Sequence, residues 1–311
     1  MSRSRAGRHF EVDVSVGISP RQSFDSWASF VSELERDGVR RIWVIDSQLA
    51  MKDVYAGLVV AALNTSRVAL GTGVTNAVTR HPTVTANAIA AVDELSHGRA
   101  VLGIGAGDSA LYGIGLEPQK VAGVEEAVAF FRRQLPPSIP IYIAVSRRRM
   151  CELAGRVADG AIVMGPAQPD MVRQQVEWIR AGGRADCEIA FLAPTSMDVE
   201  DVRSWVSTEA RLLSHVKELP ESLARFRSEI DASAESYDYS QHLSTAAAHS
   251  AAVSDDLVRA LAIVGDPAQC AERLSELKSV GVDSFIFPLA GRGRAARWRR
   301  IRDQIVDHIM V

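Results

Sequence analysis

Two aspartates in this sequence stand where a carboxylate can take part in acid–base chemistry. Asp46 follows the predicted strand 41–45, and Asp108 follows the glycine-rich run 103–107. In parallel sheets and barrels the carboxyl ends of strands are where ligands bind. A carboxylate at such a position can hold or deliver a proton. Asp108 first and Asp46 second are therefore our candidate catalytic residues, with a helix N-cap or a surface loop residue as the alternative for each.

Pairs or runs of glycines occur in two of the predicted strands. Gly71 and Gly73 fall inside the Val- and Leu-rich run 68–74. Glycine weakens a strand there unless a bulge or a close approach to the backbone requires it. The run 103–107 is not the dinucleotide-binding fingerprint, because the third glycine would fall on Asp108. We expect a ligand at both loops, with a plain bulge and close packing of a rim loop as the alternatives.

The segment 144–149 places a serine beside three consecutive arginines, between a predicted strand and a predicted helix. The Ser146 hydroxyl, the free N–H groups of a helix start and the arginines suit a phosphate. Arg292 and Arg294 follow the last predicted strand and can serve the same phosphate, because barrel phosphate sites often use late loops. A solvated arginine run is the alternative in both places.

The sequence lacks the motifs of several other enzyme classes, because the residues that they need do not occur at the required spacing. The sequence has no G-x-S-x-G, because Leu111 stands where the last glycine would be, and it has no Walker loop and no H-E-x-x-H. His242 and His249 are too weakly placed to suggest a metal, and we predict no metal site. His81, directly before Pro82, is interpreted as part of a helix start rather than as a catalytic base.

Composition narrows the class of protein. The chain has 311 residues, 47% hydrophobic and 23% charged, with a formal net charge of −3. This charge gives no general attraction to nucleic acid or to an anionic membrane, and no apolar run approaches the roughly 18 residues of a membrane span. The three cysteines form no C-x-x-C pair, so we expect a reducing, cytoplasmic setting.

Strands and helices alternate along the chain and would position these side chains. Strands are predicted at 12–18, 41–45, 68–74, 99–106, 139–144, 160–164, 187–193 and 282–288. Helices are predicted at 23–37, 53–63, 82–97, 121–134, 147–158, 169–180, 266–280 and 295–311. Eight strands alternating with helices predict an α/β fold, a (β/α)8 TIM barrel, with a doubly wound open sheet as the alternative.

The alternation breaks over residues 198–254. This stretch is polar and rich in Ser and Ala, and it indicates two or three helices with no strand between them. The pattern resumes with the apolar run 257–264. We therefore expect one domain over residues 1–311, with 198–254 as a helical insertion after strand seven that covers the barrel mouth as a lid.

The segment 42–110 resembles the bacterial luciferase-like flavin superfamily. Within it, the likeness is to the deazaflavin (coenzyme F420)-dependent reductases typified by methylenetetrahydromethanopterin reductase. The motifs are Trp43-Val-Ile-Asp46, Gly71-Thr-Gly-Val-Thr-Asn76, Arg80-His-Pro82, Asp93-Glu-Leu-Ser-His-Gly-Arg99 and Gly103-Ile-Gly-Ala-Gly107. The segments 153–160 and 265–267 also resemble this family, whose fold is a (β/α)8 barrel with an insertion after strand seven.

The resemblance implies a cofactor at the strand ends, coenzyme F420, with FMN as the alternative. It implies a cis peptide between Gly73 and Val74 against the ring, a phosphate near Ser146, and Asp46 near the polar edge of the ring. The residues it assigns to the cofactor are Asp46, Thr72, Gly73, Val74, Thr75, Asn76, Gly105, Ala106, Gly107, Ala144, Val145, Ser146, Arg147, Met164 and Gly165. An acid follows the strand-four glycines in some deazaflavin relatives, which here is Asp108.

The resemblance also implies a reaction, the transfer of a hydride between C5 of reduced F420 and a C=N or C=C bond of a small organic substrate. Some alcohol-oxidising relatives carry a histidine after the strand-two acid, and Ser47 in that place argues against alcohol oxidation. The alternatives are an FMN-dependent luciferase-like monooxygenase and a non-catalytic flavin-binding protein. We expect a separate reductase that supplies reduced cofactor and a homodimer, with no nucleic acid or membrane partner.

Overall fold

A closed barrel of eight parallel strands lies at the centre of the computed structural model, which describes residues 11–243, 247–290 and 293–307. The strands are β1 (Glu11–Val16), β2 (Arg41–Val44), β3 (Ala69–Thr72), β4 (Ala100–Ile104), β5 (Ile141–Val145), β6 (Gly160–Val163), β7 (Glu188–Leu192), β8 (Thr195–Ser196), β9 (Ile263–Val264) and β10 (Ser284–Leu289). Strands β1 to β7 pair in chain order, and β10 closes the barrel between β7 and β1. The predicted (β/α)8 barrel is confirmed.

Helices surround the barrel. They are α1 (Phe24–Arg36), α2 (Val54–Asn64), α3 (Pro82–Ser96), α4 (Asp108–Tyr112), α5 (Val121–Gln134), α6 (Arg148–Val157), α7 (Pro169–Ala181), α8 (Arg203–Ser214), α9 (Glu221–Ala224), α10 (Arg227–Glu235), α11 (Ala248–Ala251), α12 (Asp255–Leu261), α13 (Pro267–Ser279) and α14 (Arg294–Ile301). Among the residues described, none of these helices has the length and apolar character needed to cross a membrane.

Local sequence explains where several of the helices begin. The side chains of Ser23 and Asp53 accept hydrogen bonds from backbone N–H groups in the first turns of α1 and α2. Pro82 opens α3, where its missing N–H costs nothing. Asp266 and Gln269 form a reciprocal capping box at the start of α13. The predicted starts of these four helices therefore hold to within one residue.

Three predicted segments differ from the structure. The glycine-rich loop after β4 leads into a short helix, α4, rather than remaining a loop. The apolar run 257–264 divides between α12 and β9. Within the predicted helix 295–311, α14 passes into a π-helical turn at Arg302–Val306, and residues 308–311 lie outside the described part of the chain. Apolar periodicity locates a buried face, but it does not distinguish between these backbone conformations.

The barrel interior is filled by one apolar cluster, separate from the layer between strands and helices. Its buried members are Trp43, Val101, Tyr142, Ile162, Ala190, Leu192, Trp205 and Ile286. Seven of these eight side chains come from barrel strands, whereas Trp205 comes from α8. The interior is therefore packed rather than open, as in other barrels of this class.

Trp43 explains part of the glycine pattern. A Cβ atom added to Gly71 would lie 2.7 Å from the Trp43 ring, and one added to Gly73 would lie 2.6 Å from Trp43 Cβ. At Gly103 an added Cβ would come within 2.1 Å of the Thr72 carbonyl oxygen. These glycines therefore give room to a buried indole and to a neighbouring strand. Close packing was the alternative given for the run 103–107, whereas a ligand or a bulge was expected at Gly71 and Gly73.

The helices after β7 have a small hydrophobic core of their own. The short parallel pair of β8 and β9 lies on either side of them in the chain. This core is built from Val202, Val206, Ala210, Leu213, Leu223, Phe226, Ile230, Val253, Leu257, Val258, Leu261 and Ala262. We call the helices α8 to α12 the insertion. Its helical character agrees with the sequence, while the division of the chain into domains stays a prediction.

A network of charges lies at the amino-terminal end of the barrel. Arg40 donates to Asp13 at 2.9 Å and to Glu188 at 2.6 Å, and Arg41 donates to Glu188 at 3.2 Å. The Tyr142 hydroxyl donates to Glu188 at 2.6 Å. These groups link β1, β2, β5 and β7, so the network belongs to the scaffold and lies at the opposite end from the predicted site.

Candidate functional site

The carboxyl ends of β2 to β6 form a continuous part of the barrel rim, and the predicted site segments follow these ends in order. They are Asp46 after β2, 72–76 at the end of β3, 105–108 after β4, 144–147 at the end of β5 and 164–165 after β6. Because neighbouring strands are parallel, all five segments come together at one end of the barrel. The structure thus assembles the region that the sequence proposed.

Asp46 is buried and anchors this rim. Its carboxylate accepts hydrogen bonds from Thr75 Oγ1 at 2.7 Å, Gln48 Nε2 at 2.8 Å and Arg80 Nη1 at 2.5 Å. Arg80 also donates to Asp53, the N-cap of α2, at 2.8 Å. Asp46 is therefore a well-supported acceptor that fixes the ends of β2 and β3, and its predicted contact with a cofactor stays a prediction.

The end of β3 turns sharply toward the barrel interior. The peptide bond between Gly73 and Val74 is cis, as the resemblance implied. The Val74 side chain packs against the interior cluster, and a Cβ added to Gly105 would lie 3.0 Å from Val74 Cγ2 and 3.4 Å from Ala144 Cβ. Three neighbouring strand ends therefore meet closely at this point on the rim.

Asn76 carries an unused hydrogen-bond donor at the rim. Its Oδ1 accepts from the backbone N–H groups of Val78 and Thr79 at 3.0 and 2.8 Å. Its Nδ2 is buried and has no hydrogen-bond partner among the described residues. A buried amide that is half satisfied costs free energy unless a ligand or water completes it. Among the described residues, this atom therefore remains available to donate to a ligand or to water at the end of β3.

Asp108 lies at the start of α4 rather than in a loop. Gly107, with φ of 103°, turns the chain into this helix. The Asp108 carboxylate forms an ion pair with Arg211 of α8. Burial alone would lower the pKa of Arg211, but the charge and hydrogen bond of Asp108, together with the nearby Tyr239 and Tyr237, outweigh burial and raise the pKa. The predicted acid is thus joined to the insertion, and its catalytic role stays a prediction.

The end of β5 leads into an uncapped helix start. Arg147 is the N-cap of α6, and no side chain accepts a hydrogen bond from the first turn. Gln175 Nε2 donates to the carbonyl oxygens of Ser146 and Met164, both at 3.0 Å, and so ties the loops after β5 and β6 together. The Met164 side chain packs against the interior cluster. The site therefore combines a helix start without a side-chain cap, a type of position that suits an anion, with an apolar wall.

Three of the predicted cofactor residues do not present free side chains to the rim. Val145 is buried in the layer between barrel and helices, and Ala106 packs against the same layer. The Thr72 hydroxyl donates to the Gly103 carbonyl oxygen at 2.7 Å and accepts from Gly103 N at 3.0 Å. Side chains alternate along a strand, so these residues can offer only backbone atoms or packing to a ligand. Their assignment to the cofactor therefore stays a prediction, limited to backbone atoms or packing.

The arginines that follow the last barrel strand do not form a phosphate site within the described part of the chain. Arg294 donates to the Gly17 carbonyl oxygen at 2.7 Å and to Gln22 Oε1 at 2.8 Å, and its guanidinium lies 4.4 Å from the Phe30 ring. It therefore joins α14 to β1 and α1, which corrects the expected phosphate contact. Arg292 lies outside the described residues. His81 accepts a hydrogen bond as the N-cap of α3, as expected for a helix start.

Helix α8 of the insertion contacts three parts of the rim end. Trp205 packs into the interior cluster, Arg211 pairs with Asp108, and the Leu212 carbonyl oxygen accepts from Arg147 Nη2 at 3.4 Å. The sequence analysis missed Trp205 and Arg211. In the sequence of α8, the spacing of apolar residues indicates which face of the helix is buried in the insertion core. That spacing does not show what the other faces of the helix contact.

A chain of hydrogen-bonded side chains extends from α4 into the insertion. Ser109 Oγ lies 3.2 Å from His242 Nε2, and His242 Nδ1 lies 2.5 Å from the Tyr237 hydroxyl. The Tyr237 hydroxyl in turn lies 3.0 Å from Thr208 Oγ1. Burial, and then the charge of Arg211, lower the pKa of His242 to about 4. His242 is therefore an uncharged imidazole within this series of hydrogen bonds at neutral pH.

Comparisons with known proteins point to one group of enzymes. The chain is 28% identical over 293 residues to a 5,10-methylenetetrahydromethanopterin reductase of Methanolobus tindarius, covering 83% of this chain and 88% of the relative. The coenzyme F420-dependent tetrahydromethanopterin reductase of Methanopyrus kandleri superposes with a TM-score of 0.79 at 20% identity, covering 97% of this chain and 100% of that one. An F420-dependent secondary alcohol dehydrogenase, in complex with an F420–acetone adduct, gives 0.74 at 17% identity, covering 96% and 98%.

A match to a protein-family model shows which family the chain belongs to. Residues 9–284 match the luciferase-like monooxygenase model, which spans most of the chain. The structural likenesses, all at low identity, agree with this match in fold. The resemblance inferred from the glycine and aspartate motifs is therefore confirmed. This chain belongs to the bacterial luciferase-like family, and its relatives include F420-dependent oxidoreductases.

Proposed function

We propose that this chain is an oxidoreductase that uses coenzyme F420 to transfer a hydride between the cofactor and a C=N or C=C bond of a small organic substrate. The proposal is supported by its similarity to reductases of this cofactor class over most of the chain. The observation in the site that carries it is the unused Nδ2 donor of Asn76 after β3, on the same rim as the uncapped start of α6 after β5.

The side chains present at the rim fit such a cofactor, which combines a flat ring with a phosphate. Ser146, Arg147 and the N–H groups that begin α6 would hold the phosphate. Asn76 Nδ2 would donate to the polar edge of the ring, and Val74 and Met164 would exclude water from its face. When bound, reduced F420 supplies a hydride from its C5 atom.

Asp46 and Asp108 take different roles in this proposal. Asp46 accepts three hydrogen bonds and would orient the strand ends that contact the ring. Asp108 lies at the rim and would hold or deliver a proton once its ion pair with Arg211 opens. A separate enzyme would regenerate the reduced cofactor. The expected homodimer and cytoplasmic setting stay predictions.

The second candidate is an FMN-dependent monooxygenase. It is favoured by the description of the family model itself, which is that of luciferase-like monooxygenases. The same rim would then hold the phosphate and ring of FMN, so the two candidates differ in cofactor preference rather than in the location of the site. A non-catalytic flavin-binding protein would bind a cofactor without turnover.

Titration of the purified protein with F420 and with FMN separates these candidates. We expect F420 to bind with a dissociation constant of about 10 μM or below, and FMN to bind at least about tenfold more weakly. Arg147→Ala should weaken F420 binding about tenfold, because it removes a cation from the phosphate site. Tighter binding of FMN than of F420 would contradict the proposal.

The matched control for this titration is Arg148→Ala. Arg148 is one residue further along α6, is well exposed and pairs with Glu152 on the same helix. It should change F420 binding by no more than about twofold, because exposed helix pairs contribute little. Equal losses for Arg147→Ala and Arg148→Ala would indicate general electrostatic attraction rather than a phosphate site.

A further inference from the structure

Arg211 on α8 is a buried cation where the insertion meets the rim. Only 5% of its side chain is exposed, whereas 44% of the side chain of its partner, Asp108, is exposed. The hydrogen bond between them joins one guanidinium nitrogen, Nη2, to one carboxylate oxygen, Oδ2. The Nε atom of Arg211 is buried without a hydrogen-bond partner among the described residues. The acid that Arg211 meets therefore leaves part of the guanidinium unused.

Contacts between the ends of β3 and β4 place this ion pair at the rim. Asp108 is the first residue of α4 and directly follows Gly107. A Cβ added to Gly107 would lie 3.3 Å from Asn76 Cβ, and Gly105 N donates to the Thr75 carbonyl oxygen at 2.9 Å. Asp108 therefore lies one residue beyond a direct contact with Asn76, which carries the unused donor at the end of β3.

Aromatic rings hold Arg211 in place independently of Asp108. Its guanidinium lies 5.1 Å from the centre of the Tyr237 ring and 5.4 Å from that of the Tyr239 ring. Its Nη1 atom donates to the Tyr239 hydroxyl at 3.4 Å, and the Tyr239 ring lies 5.0 Å from the Tyr112 ring of α4. The negative faces of aromatic rings stabilise a cation. Arg211 would therefore stay in position if Asp108 moved away, ready to bind another anion.

The proton role given to Asp108 requires the ion pair to open. A carboxylate beside a guanidinium stays ionised, because the cation favours its charged form. A ligand can open the pair only if it binds the open state better than the closed one. An anionic group does so when it takes the place of Asp108 on Arg211, whereas a neutral group gains nothing there. The other titratable side chains near the pair, uncharged at neutral pH, are Tyr112, Tyr237, Tyr239 and His242.

We propose that Arg211 binds a carboxylate group of the substrate, which displaces Asp108 from the guanidinium. The inference rests on the proposed function and specifies its substrate class, a small organic acid that carries the C=N or C=C bond. Nε and Nη2 present parallel N–H groups on one edge of the guanidinium, and this fork matches the two oxygens of a carboxylate. The incoming group thus uses the buried Nε atom that Asp108 leaves unpaired.

Displacement also prepares Asp108 for its proposed role. Once freed, Asp108 has lost its cation and has a second carboxylate beside it, and both changes favour its protonated form. It takes up a proton from solvent. Reduced F420 gives a hydride to one atom of the substrate double bond, the π electron pair moves to the other atom, and the O–H bond of Asp108 breaks as its proton bonds to that second atom.

Binding without turnover is the first test. With oxidised F420 bound, calorimetry compares 1-pyrroline-2-carboxylate and cyclopent-1-ene-1-carboxylate with the amides of both acids. We expect each carboxylate to bind at least about 30-fold more tightly than its amide, and Arg211→Gln to reduce this preference to about threefold or less. Asp108→Asn should instead bind the carboxylates about tenfold more tightly than the wild type, because it removes the group that competes for Arg211.

The opposite signs of these two variants separate recognition from a structural contact. If the ion pair only held the insertion on the barrel, both variants would weaken carboxylate binding, and that result would overturn the proposal. Amides that bind as tightly as the acids, or a wild type that binds F420 but neither acid, would also overturn it and leave the proposed function intact. A wild type that binds no F420 would overturn both proposals.

Arg203→Gln is the matched control. Arg203 begins the same helix, is largely buried, and pairs with Glu200 and Asp255 at the far side of the insertion from α4 in the chain. Its preference for carboxylate over amide should stay within about twofold of the wild type, since its partners are structural ion pairs. A loss equal to that in Arg211→Gln would show that binding responds to any weakening of α8, and would overturn the role of Arg211.

Turnover with reduced F420 is the second test. The wild type should favour each acid over its amide by at least about 30-fold in kcat/KM, and Arg211→Gln should lose this preference mainly through a higher KM. Asp108→Asn should keep tight carboxylate binding and lose at least about 50-fold in kcat, because asparagine cannot deliver a proton. Retained kcat in Asp108→Asn would overturn the proton role of Asp108, and an unchanged KM in Arg211→Gln would overturn the recognition by Arg211.

Discussion

At the scale of single residues, the rim is defined by polar atoms whose partners are known and by a few whose partners are absent from the described residues. Asp46 accepts three hydrogen bonds, so its geometry is fixed by the protein itself. Asn76 uses its carbonyl oxygen for the turn after β3 and leaves its amide nitrogen unused. Residues such as Asp46, whose hydrogen bonds are complete, hold the site in shape. The unpaired amide nitrogen of Asn76 is available to a ligand.

Asn76→Asp tests this distinction. The Asp side chain keeps an oxygen that can accept from Val78 and Thr79, but it replaces the Nδ2 donor with a second acceptor. We expect F420 affinity to fall about tenfold or more, because a hydrogen bond is lost and an acceptor faces the ring. Fluorescence titration measures the affinity.

The control for Asn76→Asp is Thr79→Val, which removes only the hydroxyl that donates to Asn76 Oδ1 at 3.2 Å. Its F420 affinity should stay within about twofold of the wild type, since the two backbone donors remain. If the two variants lose affinity equally, the turn rather than the Nδ2 atom is what the cofactor needs.

At the scale of elements, α8 is the part of the insertion that meets the barrel. One side of the helix packs in the insertion core through Val202, Val206 and Ala210, while Trp205 enters the barrel interior. The ion pair between Arg211 and Asp108 then joins the helix to α4. The insertion is therefore held over the rim by one apolar and one charged contact, which is the arrangement expected of a lid.

A double-mutant cycle with Asp108→Asn and Arg211→Gln measures the charged contact. Because Asp108 is partly exposed, we expect a coupling energy of only about 1 kcal/mol in the free energy of unfolding. Each single variant should also speed limited proteolysis within the insertion, and the double variant should be no faster than either. Strictly additive effects on both readouts would show that the ion pair does not hold the insertion.

The contact between β3 and β4 gives a second prediction at this scale. In Gly103→Ala the new Cβ would lie 2.1 Å from the Thr72 carbonyl oxygen, which is backbone and cannot move away cheaply. We expect a loss of at least about 3 kcal/mol in the free energy of unfolding, or no soluble protein. Urea denaturation measures it.

Gly123→Ala in α5 is the matched control for Gly103→Ala. Its added Cβ would meet only the flexible side chain of Gln119, at 3.2 Å. Alanine favours helix over glycine by roughly 0.5–1 kcal/mol, so this variant should be as stable as the wild type or more so. Comparable destabilisation by both substitutions would argue against the steric explanation.

At the scale of the whole molecule, the barrel separates stability from function at its two ends. The amino-terminal end holds the network of Asp13, Arg40, Arg41, Tyr142 and Glu188, which links strands on opposite sides of the barrel. The carboxyl-terminal end holds the rim and the insertion. Changes in the network should therefore alter stability and leave cofactor binding largely unchanged.

The network gives a prediction for pH. Burial would raise the pKa of Glu188, but the charges of Arg41 and Arg40 outweigh burial and lower it from 4.5 to about 2. The ionised group therefore contributes stability above about pH 4.5, and this contribution is lost as the pH falls toward 2. At about 1.4 kcal/mol per pKa unit the contribution is about 3 kcal/mol.

Urea denaturation of the wild type and Glu188→Gln at pH 7 and pH 2.5 tests this sign. The variant should be less stable by about 3 kcal/mol at pH 7, and this deficit should shrink to about 1 kcal/mol at pH 2.5, where Glu188 is partly protonated. Glu152→Gln, which disrupts only an exposed helix pair with Arg148, should cost less than about 1 kcal/mol at both values. A Glu188→Gln deficit that does not shrink with acid would contradict the electrostatic origin.

The sequence predicted the fold well, and it predicted that the candidate site segments would meet at one end of the barrel, because both follow from local patterns. Apolar runs of strand length, helix starts at Pro82 and Asp266, and the alternation of elements are readable from neighbouring residues. Aspartates and glycines after strands two, three and four could be assigned to one rim because strand direction in such barrels is fixed. The sequence could not show that Val145 faces the layer of helices or that Arg294 joins α14 to β1 and α1, because the direction of a side chain depends on packing that no local pattern records.

By itself, then, the sequence determined the barrel, its family and the end of the barrel at which the candidate site residues lie, since the spacing of apolar residues and the positions of Gly and Pro are local features of the sequence. Only the tertiary structure decided which polar atoms remain unused. Asp108 meets Arg211 across 103 positions, and Glu209 and Trp205 keep unused polar atoms because of what folds around them. Burial and pairing are properties of neighbours in space, so the chemistry of these groups appears only when the insertion is in place over the rim.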